Sequence, residues 1–152
     1  MKKKLVVLSG AGISAESGIK TFRDSDGLWE NYNVEEVATL DGWYRDPDLV
    51  TDFYNARRAE LAKTGPNDAH KLVAALEEYY DVTVVTQNID DLHERGGSTK
   101  IIHLHGEATK ACSENGKRFV QDIGYRPIAH DEKAPDGARL RPFIVWFGEA
   151  VP

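Results

Sequence analysis

A short apolar run that leads straight into two closely spaced glycines constrains the fold of this chain more than any other feature. The run, Leu5-Val-Val-Leu8, is typical of a buried parallel strand. The next residues read Gly-x-Gly-x-x-Ala, in which Gly10 permits a tight turn, Gly12 lets the backbone approach a pyrophosphate, and Ala15 allows close helix–strand packing. The main-chain amides at the start of a helix suit a phosphate. We therefore predict a nucleotide-binding turn of the Rossmann type.

Bulk properties narrow the class of protein further. The 152 residues include 19 Lys and Arg against 25 Asp and Glu, and the net charge of −6 argues against a nucleic-acid surface. No apolar stretch approaches the ~20 residues of a membrane span, and no signal-peptide pattern opens the chain. The single cysteine, Cys112, excludes an intramolecular disulfide and fits a reducing compartment. We expect a cytoplasmic protein that binds neither nucleic acid nor membrane.

The distance between the first two strands argues against an ordinary dehydrogenase. Val82–Val85 is typical of a second buried strand and Ile101–Leu104 of a third, and helical patterns over 34–40, 47–63 and 68–80 precede them. A dinucleotide-binding βαβ unit takes ~30 residues, whereas about 70 residues separate the first two strands here. The pattern predicts a nucleotide fold with a helical insertion over the site.

Three further motifs accompany the later strands. Thr86-Gln-Asn-Ile-Asp-Asp-Leu-His93 follows the second strand, Leu104-His-Gly106 overlaps the third, and Val145-Trp-Phe-Gly-Glu149 lies near the end of the chain. Together with Gly10–Arg23, their order and spacing resemble those of the sirtuins, which are NAD-dependent protein-lysine deacylases. The resemblance covers most of the chain and is weakest over residues 109–139.

The resemblance implies an α/β fold, in which a Rossmann-like parallel sheet carries a helical insertion and a small module. In this chain we expect the small module to be shortened and to lack the usual zinc ribbon of the family. The family continues beyond this point with elements that bind the adenosine half of NAD, so we expect a truncated chain in which the C-terminal part of the sheet is missing. The implied units are 1–33 and 81–108 for the NAD-binding domain, 34–80 for the insertion, 109–139 for the small module and 140–152 for the substrate-binding strand.

NAD is the co-substrate that the resemblance implies, and acyl-lysine side chains of proteins are the implied partners. His105 corresponds to the general base, a task that suits an imidazole with its unperturbed pKa of about 6.5. Asn88 is the second catalytic residue and meets the ribose and a bound water. The implied cofactor-binding residues are Gly10, Ala11, Gly12, Ala15, Ile19, Phe22, Arg23, Trp29, Gln87, Asn88, Ile89, Asp90 and His105.

Each of these residue types also has an ordinary structural role. Taken alone, His105 is more often a hydrogen-bonded core histidine, and Trp29 packs a loop. His103 alternates with His105 along a strand and so faces away from it, which makes His103 a structural residue. Asn88 and Asp90 alone suggest helix caps, although Asp91 is the better cap.

A helical pair predicts which acyl groups are recognised. Tyr54 and Arg57 lie three residues apart and share one helix face, where a guanidinium fork and a hydroxyl suit a carboxylate. The pair resembles the Tyr-x-x-Arg of class III sirtuins, which prefer succinyl and malonyl groups. The alternative is that Arg57 pairs with Glu60 or Asp52.

The last motif is the implied peptide site. Residues 144–149 are expected to add as an extended strand to the substrate peptide through main-chain hydrogen bonds. The substrate-binding residues assigned there are Val145, Phe147, Gly148 and Glu149.

The small module departs from the family. A structural zinc site needs four ligands, yet the segment has Cys112 and no Cys-x-x-Cys pair, with His130 and Asp131 as the remaining donors considered. We predict that zinc is absent and that apolar residues pack the module instead, namely Phe119, Val120, Ile123, Tyr125 and Ile128.

The sequence thus favours an NAD-dependent protein-lysine desuccinylase or demalonylase, with deacetylase activity as a further expectation. The alternatives that remain are a mono-ADP-ribosyltransferase and a non-catalytic module that senses NAD.

Overall fold

The computed structural model describes residues 1–20 and 28–152. Its elements, in chain order, are β1 (Lys3–Ser9), α1 (Gly12–Ala15), β2 (Leu28–Trp29), β3 (Tyr32–Asn33), α2 (Val34–Val37), α3 (Leu40–Arg45), α4 (Pro47–Lys63), α5 (Asp68–Ala75), a 3-10 turn (Leu76–Glu78), β4 (Tyr80–Thr86), α6 (Leu92–Gly96), β5 (Ile101–His103), β6 (Gly106–Ser113), β7 (Gln121–Asp122) and β8 (Leu140–Ile144).

The predicted parallel sheet is present, with the strand order β1-β4-β5. Strand β4 lies in the middle and buries Val82 and Val84, as expected of a strand paired on both sides. The prediction of a fully buried first strand is wrong for Val6 and Leu8, which are 65% and 68% exposed. Side chains alternate along a strand, so these two share the face of β1 that is open to solvent.

Polar side chains cap the two main helices of the helical insertion. Asp46 accepts a hydrogen bond from the Leu49 amide at the start of α4, where Pro47 occupies the first turn. Asn67 caps α5 in the same way. The pattern over 34–40 forms two helices rather than one, because Thr39 is extended and its hydroxyl caps the second. The helix predicted over 68–80 ends at Ala75 and continues as the 3-10 turn.

Aromatic side chains of the insertion form the main core together with the end of the chain. Trp43 stacks on Trp146 at 5.5 Å between ring centroids, and Tyr54 lies 6.1 Å from the same Trp146 ring. Because Trp146 belongs to the predicted peptide segment, this core fixes that segment against the insertion.

The small module is an antiparallel sheet with the strand order β7-β6-β8. The segment in which the family resemblance is weakest still begins with regular structure, because β6 continues to Ser113 and pairs with β8. Ile123 and Ile128 are buried in the module core as predicted, but Phe119 and Val120 are each 48% exposed. Ala111, Ala134 and Leu140 complete the core instead. Among the described residues, no helix is long and apolar enough to cross a membrane.

Candidate active site

The carboxyl ends of the parallel strands open into a cavity of about 390 Å³. Ligands of open α/β sheets bind at this edge, where the loops after neighbouring strands meet. The loops after β1, β4 and β5 contribute to the wall, as do α4 and the segment after β8. The predicted site residues that line it are Ala11, Ile19, Trp29, Tyr54, Arg57, Gln87, Asn88, Ile89, Asp90, His105, Val145, Phe147, Gly148 and Glu149. Two predicted contacts, Phe22 and Arg23, lie outside the described residues.

The glycine turn supports the site through its main chain. The Gly10 carbonyl accepts a hydrogen bond of 3.0 Å from the Asn88 side chain, and a Cβ on Gly10 would approach the Gln87 amide oxygen to 3.5 Å. A Cβ on Gly12 would meet no atom within 4 Å, which leaves that backbone accessible. The predicted packing of α1 through Ala15 is wrong, because Ala15 is exposed and Ser14 is the residue that α1 buries.

Ser14 is buried because it binds Asp90. Its hydroxyl donates to Asp90 Oδ2 at 2.8 Å, and Asp90 Oδ1 accepts the Leu92 amide at 3.0 Å. Asp91 occupies the predicted N-cap position of α6, but its side chain makes no capping hydrogen bond, and the Asp90 carboxylate accepts the Leu92 amide in its place. The Asp91 carboxylate instead pairs with Arg95 at 3.2 Å, one helical turn along, and accepts the Tyr125 hydroxyl.

His70 extends this network beneath the cavity. The main-chain amide of Asn67 donates to His70 Nδ1 at 3.1 Å, so Nδ1 is an acceptor and the neutral ring carries its proton on Nε2. This Nε2 atom lies 3.4 Å from the Ser14 hydroxyl oxygen. Burial lowers the pKa of His70, which favours this neutral form. Sequence reasoning assigned His70 no role in the site. The spacing of Asn67 and His70 signals a cap, but their link to Ser14 crosses more than 50 residues and leaves no local pattern.

The two neighbouring histidines separate as predicted, but for a different reason. Strand β5 ends at His103, and His105 lies in the turn before β6 with its ring in the cavity wall. The His103 ring contacts the main-chain oxygen of Asn88 and the Glu94 carboxylate, each at 2.8 Å. A turn, rather than alternation along a strand, therefore divides their roles.

Arg57 contributes a half-buried positive charge to the cavity wall. Its Nη2 donates to Glu60 at 3.2 Å, and its Nη1 lies 4.0 Å from Glu30. The Nε and Nη1 groups are buried and make no hydrogen bond among the described residues. The guanidinium also lies 4.9 Å from the centroid of the Phe53 ring. The alternative pairing with Glu60 is therefore real, yet it leaves hydrogen-bond donors of Arg57 unused.

Tyr54 differs from the expectation of a second donor. Its hydroxyl donates to the Val37 carbonyl at 2.9 Å and accepts the Trp146 indole N–H at 3.0 Å. Burial raises the pKa of Tyr54, so this hydroxyl stays protonated. Its only hydrogen is therefore engaged in this structure. Trp29 lies edge-on to Tyr54 at 5.8 Å between ring centroids and also lines the cavity, so the predicted loop packing and a cavity position coincide.

The segment after β8 is extended only as far as Phe147, so the prediction of an extended run to residue 149 is wrong at its end. A turn follows, in which the Glu149 amide donates to the Trp146 carbonyl at 3.0 Å. The fold of the segment itself uses part of its main chain. The Val145 amide donates to the main-chain oxygen of His105 at 2.8 Å, and the Phe147 amide donates to the main-chain oxygen of Ala38 at 3.0 Å. The Val145 carbonyl and the Gly148 amide have no hydrogen-bond partner among the described residues. Phe147 is 66% exposed, whereas Trp146 points into the core. The main-chain groups open to a peptide are therefore those of Val145 and Gly148.

Glu149 reaches the cavity, but its carboxylate is already bound. Arg141 holds both of its oxygens at 2.9 and 3.0 Å, and the Trp146 amide donates to it at 3.0 Å. Burial would raise the pKa of Glu149, but the hydrogen bonds from Arg141 and Trp146 hold it below its ordinary value. The Glu149 side chain therefore anchors the peptide segment, and its assignment to substrate binding stays a prediction. No sequence signal identified Arg141 as its partner.

The small module does not offer a zinc site of the usual kind. Cys112 is buried, and burial raises the pKa of its thiol to about 11. Ser113 beside it donates to Asp136 at 2.7 Å, which links β6 to the loop before β8. In residues 1–20 and 28–152, the one grouping of three potential ligand side chains is formed by Glu94, His103 and Glu107, and it excludes Cys112. The module residues do not fit a four-ligand zinc site.

Comparisons with known proteins agree with this geometry. The Sir2 family model matches residues 10–152. An NAD-dependent protein deacylase of Bacteroides thetaiotaomicron is 56% identical over 157 residues, which cover 99% of this chain and 66% of that protein. One of Helicobacter pylori is 54% identical over 154 residues, covering 99% and 65%. The chain thus spans about two thirds of the length of these curated relatives.

Solved structures match over 99% of this chain. A Sir2 homologue in complex with ADP-ribose has a TM-score of 0.89 at 40% identity, with 61% of its own chain covered. A Sir2 homologue in complex with NAD has a TM-score of 0.87 at 41% identity, with 59% covered. A Sir2 bound to acetylated peptide has a TM-score of 0.73 at 32% identity, with 61% covered. With its Rossmann-like α/β fold and a family match over nearly its whole length, the chain belongs to the Sir2 family.

Proposed function

We propose that this chain carries the catalytic groups of an NAD-dependent protein-lysine deacylase, which consumes NAD as a co-substrate and acts on acyl-lysine side chains of proteins. The observation that carries the proposal is that Asn88, Asp90 and His105 line the same cavity as the open main-chain groups of Val145 and Gly148. The names of the relatives, and the NAD and acetylated-peptide complexes of the structural neighbours, support the same function.

In this proposal the NAD pyrophosphate lies at Ala11 and Gly12, and the nicotinamide ring lies beside Ile89 and Asp90. Each oxygen of Asp90 already accepts one hydrogen bond and retains a further lone pair. Those lone pairs suit the N–H groups of a carboxamide. Because Ser14 and Leu92 fix the carboxylate, its direction is set before the ligand arrives, and binding needs little reorganisation.

The chemistry follows from the position of His105. Nicotinamide leaves as the acyl oxygen of the modified lysine attacks the ribose carbon. His105 then takes the proton of a ribose hydroxyl, and that oxygen attacks the acyl carbon. Water supplies the remaining oxygen, so that acyl-lysine, NAD and water give lysine, nicotinamide and 2′-O-acyl-ADP-ribose. The apolar wall formed by Ile89, Ile144 and Trp146 helps to keep other water away from the reacting carbon.

The test uses the purified protein with NAD and acylated peptides. We expect nicotinamide release to match deacylation of the peptide by mass spectrometry, and His105→Ala to lower both by at least about 100-fold. The matched control is His130→Ala, which removes an exposed histidine of the small module. Nicotinamide release without deacylation would favour ADP-ribosyl transfer or NAD hydrolysis, and NAD binding without release would favour a sensing module.

We further propose that the enzyme prefers acidic acyl groups such as succinyl and malonyl. The support is Arg57, whose buried Nε and Nη1 groups are without hydrogen-bond partners in the described part of the cavity. A bare buried donor is costly, and a carboxylate is its best acceptor. The nearby Glu30 and Glu60 balance part of the charge of Arg57.

Replacing the guanidinium tests this preference. We expect Arg57→Met to lower kcat/KM for a succinylated peptide by 10-fold or more, and to leave that for the acetylated peptide unchanged or higher. Arg45→Met serves as the control, because Arg45 is an exposed residue at the end of α3. An equal effect of Arg57→Met on both peptides would refute the preference and leave the deacylase proposal intact.

A further inference from the structure

We infer that His103 is a positioning residue for the catalytic loop: a doubly protonated imidazole, held by Glu94 and Glu107, donates to the main-chain oxygen of Asn88 and fixes that residue at the cavity. The inference deepens the proposed function, since Asn88 is one of its catalytic groups. The inference gives a role to His103, which does not line the cavity.

The first step is the proton on Nδ1. His103 Nδ1 lies 2.8 Å from the Asn88 carbonyl oxygen, and a carbonyl oxygen can only accept a hydrogen bond. Nδ1 must therefore carry a hydrogen for this contact to be favourable. The His103 side chain is 6% exposed, so water has little room to replace either partner of this hydrogen bond.

The second step is the proton on Nε2. This atom lies 2.8 Å from a Glu94 oxygen and 3.8 Å from a Glu107 oxygen, and carboxylates also only accept. A neutral ring with its hydrogen on Nδ1 would direct the lone pair of Nε2 at two negative charges. A second proton converts that repulsion into a charge-assisted hydrogen bond. The pocket around His103 therefore selects the imidazolium form.

The other charges around the ring are consistent with this form. Glu94 and His93 face it from α6, and Glu107 and Lys110 face it from β6. Lys110 lies 2.9 Å from Glu107 and neutralises part of its charge. Its charge also acts on Glu94, which forms no direct ion pair with a lysine or arginine among the described residues. Burial by itself would lower the pKa of His103, but the bonds to Glu94 and Asn88 and the charge of Glu107 raise it above its ordinary value.

The third step is what the loop loses when the ring gives up a proton. A neutral imidazole has one N–H and must choose between its two acceptors. The bond to Glu94 is charge-assisted and the bond to the Asn88 carbonyl is not, so the remaining hydrogen stays on Nε2. Nδ1 then presents a lone pair to the Asn88 oxygen, and the contact becomes repulsive.

Asn88 is otherwise tied only by neutral contacts. Its main-chain amide donates to the Thr86 hydroxyl at 3.1 Å, and its side-chain amide donates to the Gly10 carbonyl at 3.0 Å. The His103 contact is the one that changes with pH. The sign follows: the raised pKa keeps the imidazolium at neutral pH, and the restraint on Asn88 is lost as the pH rises through that pKa.

Two substitutions of His103 test the contributions of its two ring nitrogens separately. His103→Asn places an amide N–H near the position of Nδ1, and so keeps a donor to Asn88 that does not titrate. His103→Gln places its amide near the position of Nε2, which keeps the contact with Glu94 and removes the donor to Asn88. We expect His103→Gln to lower kcat/KM for NAD by about 10-fold, the size of one net hydrogen bond, and His103→Asn to stay within about 3-fold of the parent.

The pH profile is the measurement that a merely structural role would not move. The full polypeptide should lose activity on the alkaline side as His103 deprotonates, His103→Asn should not show this loss, and Glu94→Gln should shift it to lower pH. Thermal unfolding of each variant identifies a folding defect. Equal activity of His103→Gln and His103→Asn, or an alkaline loss that persists in His103→Asn, would overturn the inference.

Nitrogen NMR of the labelled imidazole gives a reading that does not depend on deacylation. We expect both His103 nitrogens to be protonated at neutral pH, and the hydrogen to remain on Nε2 above the transition. A ring that is neutral at pH 7, with its hydrogen on Nδ1, would contradict the inference even in an active enzyme. An inactive protein whose His103 still titrates as expected would instead contradict the deacylase proposal alone.

Discussion

Replacing Arg141 should loosen the peptide segment without removing any group that touches a ligand. Arg141 is 2% exposed, binds both oxygens of Glu149, and donates to the Ile144 carbonyl at 2.7 Å. Its guanidinium carbon lies 3.9 Å from the centroid of the Trp146 ring. Arg141→Met keeps the aliphatic stem and removes the charge, so it leaves the Glu149 carboxylate with the Trp146 amide and with Lys117 at 3.5 Å.

The size of the effect follows from this burial. Removing one partner of a buried ion pair costs about 3–5 kcal/mol, because the other charge stays in a poorly solvated site. Lys117 offsets part of that cost, so we expect the free energy of unfolding to fall by about 3 kcal/mol. At 2–4 °C per kcal/mol for a chain of this size, the melting temperature should fall by about 6–12 °C. Glu149→Gln removes the stranded charge, so the double variant should recover about 2 kcal/mol of the sum of the single effects.

Urea denaturation of the two single variants and the double variant measures this coupling, and the KM for an acylated peptide measures the looser segment. We expect that KM to rise while binding of NAD stays nearly constant. Arg126→Met is the control, because Arg126 forms an exposed pair with Glu132 at 2.8 Å and should cost less than about 1 kcal/mol. Additive effects of Arg141→Met and Glu149→Gln would show that the pair does not hold the segment.

Two further predictions concern the small module. Metal analysis of the purified protein should find less than a tenth of an equivalent of zinc, and one equivalent would refute the predicted absence of zinc. Cys112 should react slowly with thiol reagents, because burial raises its pKa to about 11. The Ser113 hydroxyl lowers the pKa of Asp136, so the carboxylate stabilises the module above a pH of about 4 and this effect is lost as the pH falls further. Thermal unfolding of Asp136→Asn against pH should lack this acid transition, and an unchanged profile would contradict the assignment.

The parallel sheet was predictable because its signals are local. The apolar run before Gly10 and the second strand at Val82 each report on their own segment, and the structure confirms that both form strands of the parallel sheet. Burial was less predictable. Val6 and Leu8 resemble residues of a buried strand, yet which face of a strand is covered depends on elements far away in the sequence.

The candidate site divides in the same way. Asn88, Asp90 and His105 follow the strands that carry them, so motif and position agree. Their supports were not predictable, because Ser14 meets Asp90 across 76 residues and His103 meets an oxygen of the main chain. A hydrogen bond to a carbonyl oxygen leaves no pattern of residue types, since every residue offers the same group. Tyr54 shows the converse, because the family pattern suggests a free hydroxyl where the packing has already used it.

A common design links these supports. The loop at Asn88, the carboxylate of Asp90 and the segment after β8 are each fixed by a directional polar contact from a different part of the chain: His103, Ser14 and Arg141 respectively. Loops without regular hydrogen bonding keep a fixed geometry only when such contacts order them, since apolar packing alone sets no direction. Each contact has a charged partner, namely the His103 imidazolium, the Asp90 carboxylate and the Arg141 guanidinium with its partner Glu149. The restraint on Asn88 should be lost as the pH rises through the raised pKa of His103, and that on the peptide segment as the pH falls through the lowered pKa of Glu149.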